Sequence, residues 1–283
     1  MRRMCIYHAG CPDGFGACWA VWRSWGDAAT YLPRGHEDPL VPRELEYAWV
    51  VFVDIAPPPG AWRELGERTA QLVVLDHHVS ARDRFESDPE LARDLASGGH
   101  RVHFDLEHSG AVLAWQHFHP EQDIPFLLRY VEDQDLWQWQ LPSTREVNGA
   151  IGSYPRSFPV WEQLAERTPD SLAREGAPIV RAQRLDVQRA LRSAHPVTVA
   201  GQRIEAVNAR EQRAWIGHEL ASRARFGVAC GAVYRLTGAQ VDVSLYSVGE
   251  LDVAKLAGRY GGGGHRNAAG FSVSLAEWLE RFL

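Results

Sequence analysis

A chain of 283 residues has room for two domains with a core each, and 45% hydrophobic content with 23% charged residues and 11 tryptophans excludes a disordered polymer. A formal net charge of −6 argues against tracking long duplex nucleic acid, which usually needs a basic surface, but allows a short phosphorylated substrate whose charge is met locally by cations. No apolar run reaches the ~18 residues that cross a bilayer, and Met1-Arg2-Arg3 leads straight into strand-like sequence, so the expectation is a soluble, cytoplasmic protein with no membrane partner.

Met4-Cys5-Ile6-Tyr7 reads as a first strand, followed by the loop His8 to Gly14 and a helix from Phe15 to Trp25, the opening of a βαβ unit. A second short strand is expected from Ala29 to Leu32. A third, Trp49 to Val53, ends on Asp54 before Pro57-Pro58-Pro59, where prolines stop a strand. A helix from Ala61 to Thr69 leads into the apolar run Leu72-Val73-Val74-Leu75, which closes on Asp76-His77-His78. The stretch from Ser80 to His100 is polar and poorly patterned, and Arg101 to Phe104 reads as one more strand. Ser109-Gly110 opens a helix through His117, and Pro125 opens another that runs into Val131 to Trp137, with Ser as cap and Pro in the first turn.

From Phe158 to Ala194 the pattern is helical, with Val180, Val187, Leu191 and Ala194 on one stripe. Beyond Pro196 the chain reads as a hairpin around Gly201-Gln202, a helix from Glu211 to Ala224, and strands Val228 to Leu236 and Gln240 to Tyr246. A short helix, Asp252 to Gly258, then precedes Gly261-Gly262-Gly263-Gly264-His265. The fold class is therefore α/β. A parallel-sheet domain spans 1–157, a helical connector 158–195, and a smaller α/β domain with a mixed sheet 196–283.

Ligands of open α/β sheets gather beyond the carboxyl ends of the strands. His8, Asp13, Asp54, Asp76, His77, His78, Asp133 and Asp135 all fall at strand or helix ends, and carboxylates with a few imidazoles suit manganese or magnesium better than structural zinc. A single Asp in such a loop is more often a turn or cap; four separate ends carrying such groups favour a cation site. The four cysteines (Cys5, Cys11, Cys18 and Cys230) form no C-x-x-C pair and read as reduced, mostly buried thiols. No G-x-S-x-G elbow and no P-loop is present. The glycine run reads either as a turn or as backbone that approaches a nucleotide closely. Arg181, Arg184, Arg189 and Arg192 read as a solvated helix face; His103, His108, His117 and His119 share no face; and Trp115, Trp137 and Trp139 read as core or as base-stacking rings.

Asp76-His77-His78, the early His8 with Asp13-Gly14, Asp54 after a strand, and Gly261 to His265 followed by Ala268-Ala269-Gly270 together resemble the DHH phosphoesterase superfamily, from the first strand almost to the C-terminus. The last motif resembles the substrate-binding domain of the RecJ-like and nanoRNase branch. The resemblance implies metal ligands at His8, Asp13, Asp54 and His77, with Asp133 or Asp135 closing the site. It implies Asp76 as support, His78 facing phosphate as a catalytic residue, and Gly262, Gly263, Gly264 and His265 binding substrate. It implies one or two Mn2+ ions, with Mg2+ as the alternative, and hydrolysis of short oligonucleotides or dinucleotides to nucleoside monophosphates by metal-activated water. Homodimerisation is left open. Alternatives are a catalytically impaired nucleotide-binding sensor, or a phosphomonoesterase or pyrophosphatase of the same superfamily. Two departures stand out. Many family members carry an additional Asp in the first motif, where here Gly10-Cys11 precede Pro12-Asp13 and Phe15 follows. Relatives also often carry an arginine where Tyr246 offers one hydroxyl and a ring.

Overall fold

The structure is a computed structural model that describes residues 1–35 and 38–283. It divides into two compact units, Met1–Val180 and Arg181–Leu283.

The first unit is built on five strands: β1 (Arg3–His8), β2 (Thr30–Arg34), β3 (Trp49–Val53), β4 (Gln71–Asp76) and β5 (Arg101–Phe104). All pair parallel in the order β2-β1-β3-β4-β5. Their alternation explains why the runs are continuously apolar. Cys5, Val51, Val53, Val73 and Leu75 face one buried cluster, while Met4, Ile6, Val50, Phe52, Leu72 and Val74 face another. Both faces are covered, as a parallel sheet requires. Helices α1 (Pro12–Trp25), α5 (Gly110–Phe118) and α6 (Phe126–Asp135) supply the first cluster. Helix α2 (Trp62–Arg68) supplies Trp62 and Leu65 to the second.

The polar stretch after β4 carries more structure than its pattern suggested, namely α3 (Val79–Glu86) and α4 (Pro89–Ser97). Asp88 caps α4 by accepting from Leu91 N at 3.0 Å, Pro89 opens its first turn, and Leu91 and Leu95 alone anchor it to the core. Two buried leucines among seven other residues are enough when the cap is good. Helix α7 (Thr144–Ile151) was likewise unread. Helices α8 (Phe158–Ala165) and α9 (Pro169–Ala190) follow, and Trp161, Leu164 and Leu172 belong to the first unit's core. The boundary between the units thus falls inside α9.

The second unit is a six-stranded mixed sheet of β6 (His195–Val199), β7 (Gln202–Asn208), β8 (Cys230–Thr237), β9 (Gln240–Ser247), β10 (Gly263–His265) and β11 (Ala268–Ser274). Its order is β10-β11-β9-β8-β7-β6, and only β7 and β8 pair parallel. The β6–β7 turn places Ala200 and Gly201 at φ 52° and 82°, the backbone a tight hairpin demands. Helix α10 (Arg213–Arg223) lies on the sheet where glycine admits it: a Cβ on Gly231 would come within 2.4 Å of Leu220. Helix α11 (Val253–Gly258) precedes the glycine run, and α12 (Leu275–Arg281), capped by Ser274, ends the chain. Among the described residues no helix is long and apolar enough to cross a membrane.

Candidate metal centre

In the order β2-β1-β3-β4-β5 the chain reverses its direction of travel between β1 and β3, and the loops leaving those strands diverge to make a crevice. His8 ends β1, Asp54 follows β3, and Asp76 ends β4 with His77-His78 just beyond it. The first unit is therefore a doubly wound α/β domain with a carboxylate–imidazole cluster at its switch point.

Local backbone puts each group in place. Pro12 at the first helical position makes Cys11 the N-cap of α1, and Asp13 sits in the first turn, buried. Gly14 is required there, because a Cβ would lie 2.2 Å from the carbonyl oxygen of His8. Asp13 is held from the far side by the N-terminus of α5: its Oδ2 accepts from Gly110 N at 2.8 Å and its Oδ1 from Ala111 N at 3.1 Å. Asp54 adopts φ 56°, a left-handed conformation that Asp tolerates better than most residues. Such a conformation persists only where neighbours hold it, and Asp54 N donates to Leu75 O at 3.0 Å.

The Asp54 carboxylate is divided. Oδ1 lies 3.0 Å from His77 Nε2, while Oδ2 lies 3.3 Å from His8 Nδ1 and accepts from Cys11 Sγ at 3.4 Å. His77 Nε2 is also 3.6 Å from both Asp13 Oδ2 and Asp135 Oδ2. Behind these, Asp76 Oδ1 accepts from His77 N at 2.8 Å and meets His78 Nδ1 at 2.7 Å. Among the described residues of the first unit, two groups of three ligand atoms result, His8 with Asp54 and His78, and Asp13 with His77 and Asp135. Within each, the atoms lie no more than 4.8 Å apart.

The electrostatics favour a cation. Burial, then the neighbouring charges of Asp54 and Asp135, push the Asp13 carboxyl well above the usual range. Asp135 is raised by burial and by Asp54, although its side chain keeps 30% exposure at the rim. Burial would lower His77, but its bond to Asp54 and the charges of Asp135, Asp54 and Asp13 carry it up to about 10. Burial likewise opposes ionisation of Asp54, yet bonds to His77 and His8 hold it well below the carboxylate range. Carboxylates crowded around one imidazole repel one another, and a divalent ion relieves that repulsion while using the same oxygen and nitrogen donors. The residues present therefore fit such an ion.

Asp133 goes elsewhere. Two residues from Asp135 on a helix, it points to another side, where Oδ1 accepts from Gln140 N at 2.7 Å, Oδ2 from Leu141 N at 3.2 Å, and the Thr144 hydroxyl also donates to Oδ2. It organises the turn into α7 and is not brought to the cluster. Gly262, Gly263, Gly264 and His265 lie in the second unit, where the run leaves a turn at Gly261 and ends in the edge strand β10. Gly262 is crowded by backbone, since a Cβ would meet Gly270 O at 2.0 Å, and Gly264 takes φ 139°. Tyr246 is held in the second unit against α10, where a Cβ on Gly217 would strike its ring at 1.9 Å.

Among the other expectations, Trp115 is core, stacked on Trp19, while Trp137 and Trp139 are half-buried and meet edge to face at 4.9 Å. His119 bonds Ala20 O at 2.8 Å and His108 faces Glu132 Oε2 at 3.3 Å, so these histidines do not converge. Arg181, Arg184, Arg189 and Arg192 are exposed. Sequence reasoning missed two contributors. One is the α5 amides that hold Asp13, and the other is Cys11, whose cap position was signalled by the following proline.

No protein-family model matches the chain. Among curated proteins it is 27% identical over 290 residues to the uncharacterized protein R106 of Acanthamoeba polyphaga mimivirus, covering 95% of this chain and 67% of that protein. Among solved structures it is similar to the pGpG-specific phosphodiesterase PggH of Vibrio cholerae, at a TM-score of 0.45 and 12% identity over 98% of this chain and 95% of that one. It is also similar to an exopolyphosphatase-related protein of Bacteroides fragilis, at a TM-score of 0.49 and 12% identity over 95% of this chain and 86% of that one.

Proposed function

We propose that the protein is a metal-dependent phosphodiesterase of the DHH superfamily, hydrolysing short oligonucleotides or dinucleotides to nucleoside monophosphates. The observation that carries this reading is the pair of three-residue ligand groups, joined through the divided carboxylate of Asp54. His8, Asp13, Asp54, His77 and Asp135 would hold divalent cations, Mn2+ or Mg2+. When bound, such a pair supplies Lewis acidity to a phosphoryl group and acidifies an attacking water, so no serine or cysteine nucleophile is needed.

The chain's own residues do the rest. Asp76 fixes the ring of His78 through Nδ1, and its charge and bond outweigh burial to raise the His78 pKa; His78 would face the phosphate. Asp13 is clamped by α5 amides and does not swing with substrate. In the second unit, β10 pairs on one side only, and its glycines keep no side chain between backbone amides and a phosphate or sugar. Gly262, Gly263, Gly264 and His265 would bind substrate.

The test is incubation of the full chain with a short RNA, a linear dinucleotide, a nucleoside bisphosphate and pyrophosphate, each with and without Mn2+. Mn2+-dependent release of mononucleotides from the first two is expected. Tight binding without turnover of any of the four would sink the enzyme reading in favour of a nucleotide sensor.

A further inference from the structure

Cys11 Sγ lies 3.3 Å from His8 Nδ1 and 3.4 Å from Asp54 Oδ2, and those two atoms lie 3.3 Å from each other. Sulfur, nitrogen and oxygen thus form a nearly equilateral triangle. Bonds of about 2.3 Å to sulfur and about 2.0–2.1 Å to nitrogen or oxygen, set at tetrahedral angles, would place adjacent ligand atoms ~3.3–3.6 Å apart. Two members of the triangle, His8 and Asp54, also belong to the ligand group that includes His78. The sulfur sits at the N-cap of the 14-residue helix α1 and accepts from Gly14 N at 3.2 Å. Without an ion, burial and the charges of Asp54, Asp13 and Asp135 push the Cys11 thiol well above its ordinary range; the thiolate, the form that binds metal, arises as a cation displaces the proton. By contrast, Cys5 and Cys18 belong to the apolar core of the first unit, and Cys230 to that of the second.

We propose that Cys11 is a thiolate ligand which, with His8 and Asp54, makes one cation position selective for a borderline-soft divalent ion such as Zn2+ over Mn2+ or Mg2+. This rests on the metal-centre reading above and adds to it an inequality between the two positions. Asp13, His77 and Asp135 offer only oxygen and nitrogen to their ion, which suits a harder cation, whereas the Cys11 position offers sulfur as well. Binding forms a sulfur–metal bond and breaks the S–H bond, and the proton leaves to solvent. No electron is transferred.

A capping role alone accounts for the bond from Gly14, but not for the convergence of His8 and Asp54 on the same sulfur. Serine is among the preferred caps, so Cys11→Ser keeps the helix start while removing the soft donor.

The experiment is titration of metal-free, full-length protein with Co2+, read by absorption, beside competition between Zn2+ and Mn2+. In the native chain a thiolate-to-cobalt charge-transfer band in the near ultraviolet is expected. In Cys11→Ser and Cys11→Ala the band is expected to vanish while Co2+ still binds, with the preference for Zn2+ over Mn2+ falling at least ~10-fold, or ~1.4 kcal/mol. Co2+ binding without the band, or a band that survives in both variants, would overturn the role of Cys11 and leave the metal centre standing. Failure of native protein to bind Co2+, Zn2+ or Mn2+ would overturn both.

Discussion

Asp54 Oδ1 lies 3.0 Å from His77 Nε2, and this contact joins the two halves of the site, because the other oxygen of the same carboxylate faces His8. The two residues should therefore differ in how much they remove. Asp54→Ala is expected to lose both cations, whereas His77→Ala should lose only the one shared with Asp13 and Asp135. Each is expected to reduce turnover to below ~1% of native, since paired ions act together on one phosphate. Metal analysis after gel filtration counts the ions retained, and two equivalents in Asp54→Ala would contradict a shared carboxylate.

The two acids at the end of α6 separate stability from metal. Asp133 is 3% exposed and accepts three bonds from the turn that follows. Asp133→Ala leaves the amides of Gln140 and Leu141 without this acceptor, while the Thr144 hydroxyl keeps Leu141 O at 3.0 Å, at a cost of about 2–4 kcal/mol. Asp135 stands at the rim, and Asp135→Asn should preserve stability while weakening metal binding at least ~10-fold. Thermal unfolding and Mn2+ titration of both variants read the two effects, and the reverse pattern would exchange their roles.

Much of the site was legible because chemistry-bearing residues stand where strands stop. Leu72 to Leu75 must be strand, and the end of a buried parallel strand is exposed backbone, so Asp76-His77-His78 announced themselves, as Asp54 did before three prolines. Asp133 and Asp135 could not be told apart without the helix phase and the turn that consumes one of them. Helix α4 was missed for an energetic reason: with only Leu91 and Leu95 buried, its signal lies in the Asp88-Pro89 start and not in an apolar stripe. The glycine run was ambiguous because glycine marks turns and close approach alike. What decided it is the nearness of Gly270 and the pairing with β11, which are long-range facts.

A glycine behind the site supplies a test that substitutes no ligand residue. A Cβ on Gly110 would sit 2.4 Å from the Asp54 Cβ, while Gly110 N also holds Asp13. Gly110→Ala must move Asp54 or tilt α5, and displacing catalytic groups by a fraction of an ångström to an ångström is costly. A fall in kcat/KM of ~100-fold with a folded protein is expected. Full activity would mean that the Asp54 backbone is free to relax.

Asp76 belongs to neither ligand group but bonds a member of each, His78 through the ring and His77 through the backbone amide. It orients His78 through Nδ1, so Asp76→Asn should keep metal stoichiometry while lowering kcat by ~10–100-fold, the usual scale for a carboxylate behind an imidazole. Loss of an ion in that variant would instead make Asp76 part of the cation cage.

In the second unit, Asp242 on β9 stands opposite Arg235 on β8 and Ser272 on β11. It accepts from Arg235 Nε at 3.0 Å, Ser272 Oγ at 2.8 Å and Thr237 Oγ1 at 3.0 Å, tying three strands across one face. Burial works to raise its pKa, but the bonds from Ser272, Thr237 and Arg235, with the Arg235 charge, hold it below the carboxylate range. A carboxylate with a lowered folded pKa stabilises above its unfolded value of about 3.9, and that contribution fades as pH falls through the lower folded value. Asp242→Asn is expected to cost ~1 kcal/mol at pH 7, where the side chain's 25% exposure moderates the ion pair. The gap between native and variant in urea midpoint should then narrow steadily below about pH 4. A gap that stays constant down to pH 2 would mean that shape, and not charge, holds the three strands together.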